Sequence, residues 1–333
     1  MKIIIPMAGM GKRMRPHTLS TPKPLLHIAG SSIVERLITD IAEMVDKVDE
    51  VAFIIGDFGK EVENKLHDIA ASLGYQSKIY FQYEALGTAH ALYMAKPSLE
   101  GNILVAYADT LFETDFRIDP TEDAYIWVKK IEDPSQFGVV VCDEQDYITR
   151  FAEKPKTFVS DRAIIGLYYF KEGEKLRDEI NYLLENDIKG NGEYQITDAL
   201  ERLKSAGMKI KIAEVDGWFD CGNKNAMIET NTEILKLDKF EKRAMEDAVI
   251  TNTKIHQPCF IGSNVRLIDS EIGPYVSIGN GTMVEKTRIT NSIIYDHAFI
   301  SNSEIMNSII GNHTKCIASC TNELNLGDFS EIC

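Results

Sequence analysis

The chain has 333 residues, of which 44% are hydrophobic, and it carries a formal net charge of -15. This length allows two domains with at least one large core, and the acidic balance argues against general nucleic-acid binding, which needs a basic face. No apolar run approaches the roughly 18–20 residues that span a membrane, and the apolar start is interrupted at Pro6, so the N-terminus predicts a buried strand instead of a signal peptide. We therefore expect a cytoplasmic protein that binds neither nucleic acid nor membranes, and the scattered cysteines fit that location.

The first two thirds of the chain alternate short β-rich runs with helical patterns. The predicted strands are KIII, EVAFII, SKIYFQ, NILVAYAD and AYIWVKK, and the predicted helices cover 32–46, 59–73 and 88–96. This alternation predicts an α/β domain with a mostly parallel sheet and helices on both faces. Ligands of such sheets bind beyond the carboxyl ends of the strands, where the opening loop, the turn after "KIYFQ" and Asp109 fall.

The sequence pattern changes beyond the α/β domain, which we predict to cover 1–222. A helical stretch at 223–246 predicts a connecting helix, and Ile, Val, Gly, Ser and Asn dominate 247–333. Aliphatic residues recur there every six residues, which suits a triangular parallel β-helix of about five coils with one inward aliphatic on each face. A β-sandwich is the competing interpretation. The six-residue steps run through Ile272, Ile278 and Val284, and then from Ile294 to Ile300.

The opening loop concentrates positive charge in an acidic chain. The first 34 residues contain no carboxylate, and their cations are Lys2, Lys12, Arg13, Arg15 and Lys23. Gly9 and Gly11 would let backbone N–H groups approach a phosphate, although an ordinary tight turn has the same pattern. Prolines stiffen the loop between Arg13, whose guanidinium is a rigid fork, and Lys23, whose ammonium is a point charge. The loop therefore predicts a phosphate pocket, with Lys12 and Arg15 as solvated surface charges.

The segment "GMGKRMRPHTLSTPKPL" resembles the G-x-G-x-R-[ML]-x-P-x-T-x-x-x-P-K-P motif of sugar-phosphate nucleotidyltransferases, also called nucleoside-diphosphate-sugar pyrophosphorylases. The C-terminal region, with its six-residue repeat of aliphatic residues, resembles the left-handed β-helix that many members carry. The resemblance implies a Rossmann-like nucleotidyltransferase domain in which Ala8, Gly9 and Gly11 contact the nucleotide. It also implies that Arg13 and Lys23 hold the triphosphate. Ala8 stands where a glycine often precedes Gly9, but alanine is small and we expect nucleotide binding to survive.

The resemblance extends to other segments on the nucleotide side. The segment "QYEALGTAHAL" resembles the base-recognition segment. It implies that Gln82 contacts the edge of the nucleobase, that Gly87 lets the base pack on the backbone, and that Thr88 binds the nucleotide. The segments "YADT" and "GWFDCGN" resemble those that supply the metal carboxylates, so the resemblance implies that Asp109 and Asp220 bind Mg²⁺. Few protein carboxylates, together with phosphates and waters, suit this ion.

The sugar side is implied by four further segments, "FGVV", "FAEKP", "IIGLYYF" and "GEYQITD". Gly138 would leave room for the hexose ring, and Glu153 would accept hydrogen bonds from sugar hydroxyls. Lys154 would hold the sugar phosphate, which makes it, with Arg13 and Lys23, a predicted catalytic residue. Gly166 and Glu193 would line the same pocket.

The implied reaction joins an NTP and a sugar 1-phosphate to give an NDP-sugar and pyrophosphate. We expect dTTP or UTP with glucose 1-phosphate first, and mannose-1-phosphate guanylyltransferase-type specificity as the alternative. Two further alternatives are a regulatory, non-catalytic relative and an added acyltransferase activity in the β-helix, with His297 as its candidate base. We also expect a homo-oligomer, because β-helix faces stack well and their ends must be covered.

Overall fold

The computed structural model describes residues 1–237, 247–318, 320–321 and 323–332. The chain forms two compact units, the first made of Met1–Gly9 and Glu35–Trp218 and the second of Met10–Val34 and Phe219–Cys333. The sequence did not predict that the opening loop belongs to the same unit as the C-terminal region. The proposed division into 1–222, 223–246 and 247–333 stays a prediction, and part of its connecting helix, 238–246, lies outside the described residues.

The helices are α1 (Ile33–Glu43), α2 (Lys60–Ser72), α3 (Thr88–Met94), α4 (Gly173–Glu185), α5 (Ile196–Ser205) and α6 (Lys224–Lys236). The strands up to residue 220 are β1 (Lys2–Pro6), β2 (His27–Ile28), β3 (Ser31–Ser32), β4 (Glu50–Ile55), β5 (Gln76–Phe81), β6 (Ile103–Ala106), β7 (Thr110–Glu113), β8 (Ala124–Lys130), β9 (Gly138–Cys142), β10 (Ile148–Glu153), β11 (Arg162–Phe170), β12 (Ile210–Glu214) and β13 (Gly217–Asp220). The predicted helices at 32–46, 59–73 and 88–96 are confirmed as α1, α2 and α3, each slightly shorter than predicted.

A mixed sheet forms the centre of the first unit, with strand order β10-β9-β11-β6-β1-β4-β5 and with β8 pairing both β11 and β12. Strands β6, β1, β4 and β5 run parallel, whereas β11 is antiparallel to β6, β8 and β9. The α/β prediction is thus confirmed. Ile4 packs in a cluster with apolar residues of α3, α4 and α5. Ile3 and Ile5 are equally buried and, by strand alternation, point to the opposite face, so both faces are covered.

The C-terminal part of the second unit is a parallel β-helix with three faces. Its strands are β14 (Val249–Thr251), β15 (Lys254–Ile255), β16 (Cys259–Ile261), β17 (Arg266–Ile268), β18 (Glu271–Ile272), β19 (Val276–Ile278), β20 (Met283–Glu285), β21 (Arg288–Thr290), β22 (Ser292–Ile294), β23 (Phe299–Ser301), β24 (Glu304–Met306), β25 (Ile309–Ile310), β26 (Lys315–Ile317), β27 (Cys320–Thr321), β28 (Asn325–Leu326) and β29 (Glu331–Ile332). This confirms the left-handed β-helix predicted from the sequence, and the β-sandwich alternative was wrong.

The coils of the β-helix are shorter than three six-residue steps. Equivalent positions in successive coils are 17 residues apart at the start of the β-helix and 16 apart later, as the bonds between coils show. Val284, Ile289, Ile294 and Ile300 are fully or almost fully buried, so two of the three steps in that coil span five residues. The six-residue pattern therefore predicted the inward positions but not the length of each corner.

Within the described residues, no helix has the length and apolar character needed to cross a membrane.

Candidate active site

The opening loop, in the second unit, folds into three short 3-10 turns, Lys12–Met14, His17–Leu19 and Lys23–Leu25. Gly11 has φ +56°, and its carbonyl accepts a 2.8 Å hydrogen bond from the Thr18 hydroxyl. A Cβ atom at Gly11 would lie 3.0 Å from Thr18 Cγ2 and 3.1 Å from Lys23 Cβ. Glycine is therefore needed here both for the backbone conformation and for the close approach of Lys23.

Residues of the last coils of the β-helix hold this loop. The buried imidazole of His17 donates from Nε2 to Asn325 Oδ1 at 2.8 Å, and Ser20 Oγ donates to Asp328 Oδ2 at 2.7 Å. A Cβ atom at Gly327 would lie 3.0 Å from the ring of Pro16, so that ring packs close to the Gly327 backbone. Burial lowers the pKa of His17 and keeps the ring neutral. Sequence analysis missed this support.

Arg13 and Asp220 both approach the Cβ position of Gly222. The Gly222 N–H donates to Asp220 Oδ1 at 2.8 Å, which fixes the carboxylate at the start of the α6 region. A Cβ atom at Gly222 would lie 2.8 Å from Asp220 Oδ1 and 3.2 Å from Arg13 Nη2. Both side chains are exposed, and among the described residues no ion pair joins them. Gly222, which sequence analysis did not single out, thus keeps a predicted phosphate-binding cation and a predicted metal ligand close together.

Several predicted site residues lie at the carboxyl ends of the parallel strands in the first unit. Since β1, β5 and β6 run in one direction, the residues that follow them, Ala8, Gln82 and Asp109, lie at one edge. Gly166 of β11 lies there too, because its carbonyl accepts from Tyr107 N at 3.0 Å. Gly9, beside Ala8, is exposed, and a Cβ atom there would meet no described protein atom within 4 Å.

The orientation of the Gln82 amide is set by its neighbours. Its Nε2 donates to the Gly87 carbonyl at 3.3 Å and to His90 Nδ1 at 3.1 Å. Because an amide Nε2 can only donate, His90 Nδ1 is the acceptor of this bond, and burial, which lowers the pKa of His90, favours the neutral ring that the bond needs. Both amide protons of Gln82 are thus engaged, and its Oε1 is a hydrogen-bond acceptor.

The predicted sugar residues form a second group in the first unit. Glu153 lies opposite Gly138 across β9 and β10, and a Cβ atom at Gly138 would be 3.1 Å from Glu153 Oε2. Burial raises the pKa of Glu153, and nearby Lys154, whose Nζ is 3.9 Å away, opposes this shift. Lys154 has φ +42° and its side chain is 62% exposed. Glu193 is exposed in a tight turn with Gly190.

The metal prediction fits the donor chemistry of each unit. The first unit supplies Asp109, which is half-buried, and the second supplies Asp220, which is exposed and held by a backbone N–H. In the described ranges, no group of three or more His, Cys, Asp or Glu side chains could hold a metal ion by itself. Taken separately, each carboxylate could serve a hydrated divalent cation that takes few protein ligands together with substrate phosphates.

The candidate acyltransferase base, His297, lies in a stack of rings on one corner of the β-helix. Its ring lies 5.0 Å from that of His313 at an interplanar angle of 15°, and His313 stacks in turn on the exposed Phe329. The His297 imidazole therefore packs within this stack of rings, directly against His313. An acyltransferase activity stays a prediction.

Comparisons with known proteins found a matching family model, curated relatives and a similar solved structure. Residues 2–237 match the family model described as nucleotidyl transferase. Over all of its length the chain is 28% identical to a glucose-1-phosphate thymidylyltransferase of Streptomyces antibioticus, of which it covers 99%. It is 30% identical to the bifunctional protein GlmU of Methanococcus vannielii, over 95% of the chain and 75% of that protein. A solved structure from Bacillus anthracis, described as a candidate glucose-1-phosphate thymidylyltransferase with bound sucrose, superposes with a TM-score of 0.61 at 22% identity, covering 71% of this chain and 96% of the other.

Proposed function

Because the chain belongs to the nucleotidyl transferase family, we propose that it transfers a nucleotidyl group from an NTP to a sugar 1-phosphate and releases pyrophosphate. Relatives named for this type of reaction match the chain over its whole length, including the β-helix. The single observation that carries the proposal is the juxtaposition of Arg13 and Asp220 around Gly222, because nucleotidyl transfer needs a cation and a metal carboxylate at the same phosphates.

The side chains act by position and charge. The attacking oxygen of the sugar phosphate is already an anion, so the step needs no strong base. The barrier comes from bringing two polyanions together and from the charge that gathers on the α-phosphate oxygens. Arg13 and Lys23 hold the triphosphate and stabilise the leaving pyrophosphate, and Lys154 neutralises the attacking phosphate. A carboxylate in the opening loop would repel the triphosphate and compete with it for the cations, which explains why the loop contains none.

Enzymes of this family act with a divalent metal ion, which we propose to be Mg²⁺ with Asp109 and Asp220 as its protein ligands. Such an ion, when bound, polarises the α-phosphate and offsets the charge of both substrates. The carboxylate of Asp220, held by the Gly222 N–H, is oriented before the ion arrives.

The orientation of Gln82 supports a base with a donor at its Watson–Crick edge. Thymine and uracil present N3–H and guanine presents N1–H, each of which can donate to Gln82 Oε1, as can the amino groups of adenine and cytosine. Because the relatives are named as thymidylyltransferases and uracil presents the same edge as thymine, we propose dTTP or UTP as the nucleotide and keep GTP as the alternative. Glucose 1-phosphate is the proposed sugar, in line with the names of the relatives, and mannose 1-phosphate is the alternative.

A substrate matrix tests the proposal. Purified protein is incubated with each common NTP against glucose, mannose, galactose and N-acetylglucosamine 1-phosphates, and pyrophosphate release is measured with Mg²⁺ and with excess chelator. We expect the fastest release with dTTP or UTP and glucose 1-phosphate, and none with chelator. Release with no pair would favour a regulatory relative, and a preference for ATP or CTP would contradict the proposed nucleotide specificity.

A further inference from the structure

The loop that follows Gln82 is bonded to a segment far along the chain. Tyr194 N donates to the Leu86 carbonyl at 2.9 Å, and Ala89 N donates to the Tyr194 carbonyl at 2.9 Å. Gly87 lies between these bonds with φ +121°, and a Cβ atom there would lie 2.4 Å from the Tyr194 carbonyl oxygen. Only glycine permits this contact. The proposed base-binding loop and the segment before α5 therefore form one backbone assembly.

The side chain of Thr88 extends the assembly to α5. Its hydroxyl accepts a 2.9 Å hydrogen bond from Ile196 N, the first residue of α5, and lies 3.4 Å from Gln195 Oε1, to which it donates. The first N–H groups of a helix have no partner in the helix itself. Gln195, at the N-cap position, forms no capping bond of its own within the described part of the chain. Thr88 thus supplies the cap of α5 from another element.

The first turn of α5 borders the proposed sugar recess. The Cβ position of Gly138, which lies 3.1 Å from Glu153 Oε2, is 3.9 Å from Thr197 Cγ2. The next residue, Asp198, faces the turn at Gly190, whose Cβ position lies 3.0 Å from Asp198 Oδ2. A shift of the α5 start would therefore move one wall of the space around Gly138 and Glu153.

We propose that Thr88 is a positioning residue for the sugar subsite: its hydroxyl fixes the start of α5 against Gly138 and joins that wall to the base-binding loop. This inference rests on the proposed function, since it names how the sugar side of the same site is held. Thr88 belongs to the segment predicted to bind the nucleotide, but its hydroxyl would act on the sugar subsite.

The test compares Thr88→Val, which keeps the shape of the side chain and loses the hydroxyl, with Thr88→Ser, which keeps the hydroxyl. Thr39→Val is the matched control, because Thr39 is also half-buried on a helix but, within the described part of the chain, its hydroxyl bonds only the Glu35 carbonyl of α1. Initial rates give KM for each substrate, and hydrogen exchange gives the protection of the Ile196 amide. We expect Thr88→Val to raise KM for glucose 1-phosphate about tenfold, with a much smaller change for dTTP. The Ile196 amide should exchange faster in this variant, and Thr88→Ser should restore both properties.

The outcomes separate the two proposals. Equal changes in both KM values, a rise for dTTP alone, or an unchanged Ile196 amide would overturn the role of Thr88 in an active protein. The same would follow if Thr39→Val behaved like Thr88→Val. A wild-type protein that releases no pyrophosphate with any substrate pair would instead overturn the proposed function itself.

Discussion

A methyl group added at Gly222 tests the geometry around Arg13 and Asp220 directly. In Gly222→Ala the new Cβ atom would lie 2.8 Å from Asp220 Oδ1, 3.1 Å from Oδ2 and 3.2 Å from Arg13 Nη2. These contacts are shorter than carbon and polar atoms tolerate, so the carboxylate, the guanidinium or both must move by several tenths of an ångström. A displacement of about 1 Å at reacting groups can cost about 100-fold in rate, so for this smaller shift we expect a loss in kcat of about tenfold.

The stability of Gly222→Ala should change little, because Arg13 and Asp220 are exposed and can move into solvent. The assay is pyrophosphate release at saturating substrates over a range of Mg²⁺ concentrations, with thermal unfolding measured on the same samples. We expect a lower kcat and a weaker apparent affinity for Mg²⁺ at an unchanged Tm. A kcat close to that of the wild type would refute the reasoning, and so would a large fall in Tm, which would indicate a structural role for Gly222.

Three other predictions concern the histidines His17 and His90 and the exposed glycine Gly9. Burial lowers the pKa of His17 below its usual 6.5, so its neutral form contributes stability that is present above pH 6.5 and lost as the pH falls; the free energy of unfolding should therefore drop on acidification, and less so in His17→Asn. Burial likewise lowers the pKa of His90 from 6.5, and a proton on Nδ1 would displace the Gln82 amide. KM for dTTP should therefore rise as the pH falls through this lowered pKa, and that rise should be absent in His90→Asn. Gly9→Ala meets no described protein atom within 4 Å, so it should leave Tm unchanged but raise KM for the NTP if a phosphate approaches that backbone; an unchanged KM would contradict nucleotide contact at Gly9.

Much of the local structure could be predicted because its determinants are close in sequence. Apolar runs located β1, β4 and β6, and the glycines and prolines located the opening loop, although its positive φ at Gly11 and the approach of Lys23 appeared only in the structure. The inward aliphatics located the β-helix. These features depend on periodicity and turn chemistry, which a single sequence displays.

The supports of the site were not predictable in the same way. Asn325, which bonds His17, is 308 residues away along the chain, and Ile196, which bonds Thr88, is 108 residues away. A side chain that supports another segment leaves no periodic signal, and an isolated glycine such as Gly87 shows only that some close approach occurs. The five-residue steps of the β-helix were also missed. Unequal spacing between buried aliphatics weakens the sequence repeat by which such steps are recognised.

The most direct test of the central claim, that Arg13 stabilises the phosphates during transfer, compares Arg13→Met with Arg15→Met. Both arginines are exposed in the same loop, so the two variants remove the same charge from neighbouring positions. In pyrophosphate release from dTTP and glucose 1-phosphate, Arg13→Met should lose about 100-fold or more in kcat, while Arg15→Met stays close to the wild type. Equal losses in the two variants, or full activity in Arg13→Met, would contradict the claim.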